Sequence, residues 1–145
     1  MYTYRMKTLL YTLFSLFALS HASITDCGAG QSIFQITELS LHPDPPVVGK
    51  DVDFILKFNN PTTEIFDGSA TTHVSINGIP YPSSSKPLCE STLCPIKYGD
   101  NDRSTSTLWP DLRGKIDTTI EWKDTEGNLL LCIHTAVKVA YLRGT

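Results

Sequence analysis

The sequence predicts an all-β fold, a two-sheet antiparallel β-sandwich of immunoglobulin-like type. Three observations carry this. Apolar and polar residues alternate with period two in several segments, turn-forming residues recur at short intervals between them, and no stretch of ten or more residues has a helical period.

The N-terminal stretch stands outside that pattern. Arg5 and Lys7 precede an apolar run over residues 9–19, and Ser20-His21-Ala22 sets small residues before a cut after Ala22. A basic segment, a short apolar run and a small-residue cleavage site read as a secretory signal peptide over residues 1–22. The run is too short for a spanning helix of about 20 residues. Met6, directly before Lys7, is an alternative start. Residues 23–145 then form a single domain. Residues 141–145 carry no retention tetrapeptide and no apolar tail, so the expected destination is secretion or the lumen of the endolysosomal/secretory pathway.

Residues 33–41 read as the first strand, with Leu39 and Leu41 on one face and Pro43, Pro45 and Pro46 beyond its end. Gly49 turns the chain into a second strand. There Val52, Phe54, Leu56 and Phe58 alternate with Asp51, Asp53 and Lys57, broken only by Ile55, until Asn59-Asn60-Pro61 ends the run. Residues 70–76 are Thr-rich and β-branched and form another strand, and residues 64–66 and 105–109 are shorter candidates. Gly78-Ile79-Pro80-Tyr81-Pro82 is extended and cannot donate to a full ladder. It is either a protected sheet edge or the lip of an opening between the sheets. Gly99-Asp100-Asn101-Asp102 reads as a turn rather than a Ca²⁺ loop.

The last two strands are the clearest. Ile116, Thr118, Ile120 and Trp122 alternate with Lys115, Asp117, Thr119, Glu121 and Lys123. Residues 124–128 make a hairpin turn. The return strand sets Leu129, Leu131, Ile133, Thr135, Val137, Val139 and Tyr141 on one face. Leu130, Cys132, His134, Ala136, Lys138 and Ala140 fall on the other. The expectation is six or seven strands.

Four cysteines in a secreted chain read as two disulfides, with three possible connectivities. Cys89 and Cys94, five apart, suit a small closed loop, which leaves Cys27 for Cys132. Cys27 lies before the first expected strand, so the arrangement is not that of a true immunoglobulin domain. Paired Cys-x-x-Cys spacing for zinc or redox chemistry is absent.

Composition narrows the function. With 145 residues, 41% of them apolar, and a net charge of −3, the chain has no room for a two-domain enzyme and no basic face for nucleic acid. Loss of Arg5 and Lys7 makes the mature chain more acidic. His42, His73 and His134 lie on different elements, and no Gly-x-Ser-x-Gly or His-Glu-x-x-His occurs. No catalytic and no metal-ligating residues are therefore expected.

An ordered set of features then stands out. Asp26-Cys27-Gly28 opens the mature chain, and Gly49 starts an alternating strand. Residues 78–82 precede Cys89-x4-Cys94-Pro95-Ile96, followed by Glu121-Trp122 and Leu131-Cys132-Ile133. This order resembles the ML lipid-recognition domain family, in its branch of Niemann–Pick type C sterol carriers and phosphatidylglycerol/phosphatidylinositol transfer proteins. The resemblance covers residues 26–140. It implies a sandwich whose sheets splay around a lipid cavity, and it implies the pairings Cys27–Cys132 and Cys89–Cys94.

Carried over by position, the resemblance implies a lipid-binding lining of Leu39, Leu41, Val52, Phe54 and Leu56. Ile79 and Tyr81 match the mouth, Trp109 the opposite lip, and Ile120, Trp122 and Ile133 the wall. Two departures are evident. The loop over residues 41–48 has no cysteine where sterol-carrier relatives have a further disulfide, and no Phe follows Pro82 where the sterol carrier has one. Sterol and phospholipid both stay open as ligands. The implied function is intermembrane lipid transfer without cofactor, with transient membrane contact or a membrane-protein acceptor. Lys86, Lys97 and Arg103 are either contacts for anionic head groups or idle surface cations. The alternative is a secreted protein-recognition or receptor-accessory module with a filled or lipid-assisted core. Period-two patterning does not separate a hollow core from a filled one.

Overall fold

In the computed structural model the described residues are 22–139, and they form ten strands and one helical turn. The expected signal segment up to residue 21 lies outside them, as does Tyr141 on the last strand. The strands are β1 (Ser23–Asp26), β2 (Gln35–His42), β3 (Asp51–Asn60), β4 (Ser69–Ile76) and β5 (Ile79–Pro80). Then come β6 (Ser84–Pro87), α1 (Leu88–Ser91), β7 (Gly99–Asp102), β8 (Thr105–Leu108), β9 (Gly114–Lys123) and β10 (Leu129–Val139).

They assemble into two antiparallel sheets. The six-stranded sheet runs β1-β10-β9-β4-β5, with β6 also on β4. The four-stranded sheet runs β2-β3-β7, with β8 also on β3. The two-sheet sandwich is the fold expected from the alternation. Each sheet buries one face against the other, which is the stable solution for strands apolar on one side only. On β3 the alternation is read out directly: Val52, Leu56 and Phe58 are buried, while Asp51 and Asp53 are exposed.

Several expectations need correction. Ser23–Asp26 forms a strand on β10, pairing Ser23 with Ala136 and Asp26 with Ile133, so Cys27 follows the first strand rather than preceding it. Residues 99–102 are not a turn but a strand, pairing Asn101 with Phe58. Side chains stabilise that polar strand. Asn59 Nδ2 donates to Asp100 Oδ1 at 2.9 Å, and buried Asn101 donates to the carbonyls of Lys97 and Gly99 at 2.8 and 2.9 Å. Residues 64–66 contribute only an isolated bridge, Ile65 to Ile96.

The return strand departs from strict alternation at its start. A register shift between Leu129 and Leu131 inserts Leu130 as a bulge. Leu130, expected on the outer face, is fully buried in the same cluster as Leu131 and Ile133. Its carbonyl accepts from Phe34 N at 2.8 Å, which ties the 27–34 segment to this strand.

The Asn77-Gly78 dipeptide makes the tight β4–β5 hairpin, with φ of 53° and 80°. This is the residue pair that a two-residue hairpin of primed type favours. Two disulfides are formed, Cys27–Cys132 and Cys89–Cys94, matching both the spacing and the family resemblance.

The core divides into two clusters. One is built on Phe34, Leu56, Phe58, Trp122 and Ile133, and the other on Leu41, Val52, Ile116, Val137 and Val139. In the first, Phe34 stacks on Phe58 at 4.8 Å and Phe58 meets Trp122 edge-on at 6.1 Å. Such aromatic pairs add about 0.5–1.5 kcal/mol beyond burial.

Candidate functional site: a cavity between the sheets

Between the two clusters the sheets stand apart around a cavity of about 920 Å³. That volume sits at the upper end of ligand pockets, which span about 300–1,000 Å³. The wall from the six-stranded sheet comes from every second residue of three neighbouring strands: Ala70 and Thr72 on β4, Thr118, Ile120 and Trp122 on β9, and Ile133, Thr135 and Val137 on β10. The facing wall comes from Leu41 on β2 and Val52, Phe54 and Leu56 on β3. Phe54 packs against both core clusters and so sits at their junction.

The rim comes from two segments, residues 91–93 and, apart from Ser106, residues 102–110. The first belongs to the loop closed by Cys89–Cys94. Arg103 ties that loop to the β7–β8 corner. Its Nε donates to Thr92 Oγ1 at 3.1 Å, its Nη2 to the Leu93 carbonyl at 3.2 Å, and its own backbone N to the Leu56 carbonyl at 2.8 Å. Two large apolar side chains stand out at the rim, Leu93 at 77% and Leu108 at 60% exposed. Asp102, also at the rim, accepts from Ser104 Oγ at 2.6 Å and Ser104 N at 2.8 Å. Those hydrogen bonds stabilise its ionised form and hold its carboxyl below the usual 3.8.

Trp109 closes one side. The backbone locks it in place, with Trp109 N donating to the Lys50 carbonyl at 2.9 Å and Gly49 N donating to the Trp109 carbonyl at 3.2 Å. Its indole N–H is buried with no acceptor among the described residues.

Of the lining expected from sequence, Leu41, Val52, Phe54, Leu56, Trp109, Ile120, Trp122 and Ile133 all border this cavity. Three do not. Leu39 packs against the filled first cluster, on the side of β3 away from β7 and β8. Ile79 and Tyr81 lie on the β5 edge, 65% and 54% exposed, and reach no part of the cavity wall. The short Asn77-Gly78 hairpin turns them back along β4, so the proline-spaced segment lies at the sheet edge, away from this cavity's lining. Of the three cations considered for head groups, only Arg103 is at the rim. The sequence reading did not pick out the wall threonines or residues 91–93, although Thr118 and Thr135 occupy inward phases of recognised strands.

His134 lies on the outer face of β10, with Nδ1 3.1 Å from Thr119 Oγ1 and Nε2 3.8 Å from Asp117 Oδ1. Among the described residues no group of three His, Cys, Asp or Glu side chains could hold a metal ion.

A family model described as ML domain matches residues 21–139. The chain belongs to the ML domain family. A Dictyostelium discoideum relative of this ML domain, named provisionally as a phosphatidylglycerol/phosphatidylinositol transfer protein, is 36% identical over 81 residues. The match covers 53% of this chain and 55% of that protein, so it spans about half the length of the curated relative. Among solved structures, a Niemann-Pick type C2 protein from Japanese carpenter ant superposes with a TM-score of 0.58 at 12% identity, covering 81% of this chain and 99% of that one. Chicken MD-1 complexed with lipid IVa gives 0.59 at 18% identity, covering 83% and 90%. At these identities the two structures establish the shared sandwich.

Proposed function

We propose that this ML domain holds one lipid in the cavity between its sheets and transfers it between membranes, without covalent chemistry. The observation that carries this is the cavity itself: about 920 Å³, walled mainly by aliphatic and aromatic side chains and opening at a rim that bears exposed Leu93 and Leu108. Hydrocarbon leaving water for such a wall gains about 0.8 kcal/mol per CH₂. The rim leucines give the mouth an apolar contact with a bilayer, where the lipid changes hands. Membership in the ML family and the name of the Dictyostelium relative support the reading, and that name favours a phospholipid over a sterol. Two disulfides with no free cysteine support folding in an oxidising compartment, in keeping with a secreted or lumenal carrier.

The test is a native mass spectrum of the purified protein, lipid extraction, and vesicle-to-vesicle transfer of a fluorescent phospholipid and a fluorescent sterol. A bound lipid and transfer of at least one probe are expected. No adduct, together with no binding or transfer of either probe, overturns the proposal.

A further inference from the structure

The inner face of the six-stranded sheet is a series of layers set by register. Ala70 pairs with Trp122 and Trp122 with Leu131; Thr72 pairs with Ile120 and Ile120 with Ile133; Val74 pairs with Thr118 and Thr118 with Thr135; Ile76 pairs with Ile116 and Ile116 with Val137. The first two layers belong mainly to one core cluster and the last to the other. The break in the core falls at the layer of Thr118 and Thr135. These two residues lie directly opposite each other on β9 and β10, internal strands of the sheet, and both line the cavity. Directly opposed residues have Cβ atoms about 4.5–5.5 Å apart. Thr72, one layer away on β4, also lines it. None of these three hydroxyls has a hydrogen-bond partner among the described residues, whereas the outward-facing Thr71 and Thr119 do.

Paired hydroxyls without partners, midway along a wall whose other inward residues are apolar apart from Thr72, are a recognition element for a ligand with polar atoms at that depth. We infer that Thr118 and Thr135 form an ester-binding subsite: their hydroxyls donate to the two ester carbonyl oxygens of a diacyl glycerophospholipid. The chemistry matches in number and kind. An ester carbonyl only accepts, a threonine hydroxyl donates, and the two esters of a diacylglycerol unit sit close together, as the threonines do. A sterol has one hydroxyl, at one end of a rigid apolar body, and so brings a single polar atom to the pair rather than two carbonyl acceptors with hydrocarbon on either side. The acyl chains lie on the apolar layers to either side. The head group leaves past Thr105, which pairs with the junction residue Phe54 and lies on the rim.

This inference rests on the lipid-carrier reading, and one experiment separates the two. Binding of a diacyl phosphatidylglycerol, its dialkyl ether analogue and a sterol is measured by displacement of a fluorescent acyl probe. The proteins are wild type and the double variant Thr118→Val/Thr135→Val. Wild type is expected to favour the ester lipid over the ether by about tenfold, the size of one to two net hydrogen bonds. In the double variant that preference collapses to within about twofold, because Val keeps shape and β-branching and removes only the hydroxyls. Equal binding of ester and ether by wild type overturns the subsite and leaves the carrier. A preference that survives the double substitution does the same, as does a sterol bound more tightly than the ester lipid. Failure of all three lipids to bind overturns both. The wild-type comparison stands even if the double variant does not fold.

Discussion

Phe34, Phe58 and Trp122 close the space between the sheets in one layer of the sandwich, while in the layer of Thr118 and Thr135 the sheets stand apart. Trp122 and Thr118 sit on the same strand, β9, and in the same inward phase. The difference is side-chain bulk and polarity. Aromatic rings fill the span between sheets about 10 Å apart, whereas the threonine side chains, which line the cavity with Phe54 and Val52, do not. Each region also has its own disulfide. Cys27–Cys132 ties β1 to β10 beside the filled layer, and Cys89–Cys94 closes the loop at the rim.

Removing those disulfides separates the regions most strongly. They span 105 and 5 residues. The chain-entropy account gives about 4–5 kcal/mol for the long link and about 2 kcal/mol for the short one. Cys27→Ser/Cys132→Ser is therefore expected to lose most of the domain's stability. Cys89→Ser/Cys94→Ser keeps a folded domain with faster lipid release, because residues 91–93 are then held chiefly by Arg103. Urea midpoints and probe-release rates measure both. Equal losses from the two would break the distinction between a structural end and a mouth.

Truncating one phenylalanine in each region comes next. Phe58→Ala removes a buried ring stacked on Phe34 and costs about 3–5 kcal/mol. Phe54→Ala removes a half-buried ring that already borders open space and costs about 1–2 kcal/mol by the same logic. Denaturant unfolding checks the order. If Phe54→Ala costs as much as Phe58→Ala, the cavity wall is packed like the core.

How much of this was legible in sequence follows from the same contrast. Alternation on β3, β9 and β10 marks which residues point inward, and the five-residue Cys89–Cys94 spacing marks the closed loop. Of the eight lining residues that the resemblance implies and the cavity brings together, Val52, Phe54, Leu56, Ile120, Trp122 and Ile133 also fall in that inward phase, whereas Leu41 on β2 and Trp109 beyond β8 do not rest on those three strands. Period-two patterning is silent about volume, so it does not separate Phe58, which fills, from Phe54, which lines. It is also silent about which sheet edge opens. The apolar, proline-spaced segment leaves edge and lip both open and only the family resemblance places Ile79 and Tyr81 at the mouth, whereas the Asn77-Gly78 hairpin fixes them to the β4 edge. That dipeptide was a readable signal. So were Thr118 and Thr135, hydroxyls in an apolar phase on two adjacent strands. Strand β7 was not readable, because its polar residues are paired through Asn59 and Asn101 side chains that only the tertiary fold brings together.

Filling the open layer tests the comparison with a smaller effect on stability. Ile120→Trp adds bulk where the wall faces the cavity. Stability is expected to stay within about 1 kcal/mol, since the added ring enters existing space rather than a packed core. Phospholipid binding is expected to fall at least about tenfold. Probe displacement and urea midpoints on the same sample decide it. Unchanged binding would mean that the lipid lies elsewhere.

Acid should act least, and at the turns of the rim and of the β9–β10 hairpin rather than in either layer. The Asp102 carboxyl is held below its usual 3.8, first by the Ser104 hydroxyl and then by the Ser104 backbone N–H. Asp124 is held low in the same direction, first by the Asn128 side chain, in the 124–128 turn. A carboxyl whose folded value is depressed binds its proton more readily in the unfolded chain. Its contribution is complete above the ordinary value and is lost as pH falls through the lower folded one. The two turns should therefore add nothing pH-dependent between neutral and mildly acidic conditions, and should weaken only below 3.8. Asp102 is exposed and Asp124 lies in a surface turn, so the loss is small beside the disulfide and aromatic effects. Asp102→Asn removes the charge and keeps an acceptor for Ser104, so its urea midpoint should fall less steeply than wild type over about pH 2–4. A variant that falls as steeply as wild type would take Asp102 out of the acid response. The rim corner would then be held by Arg103 and the disulfide alone.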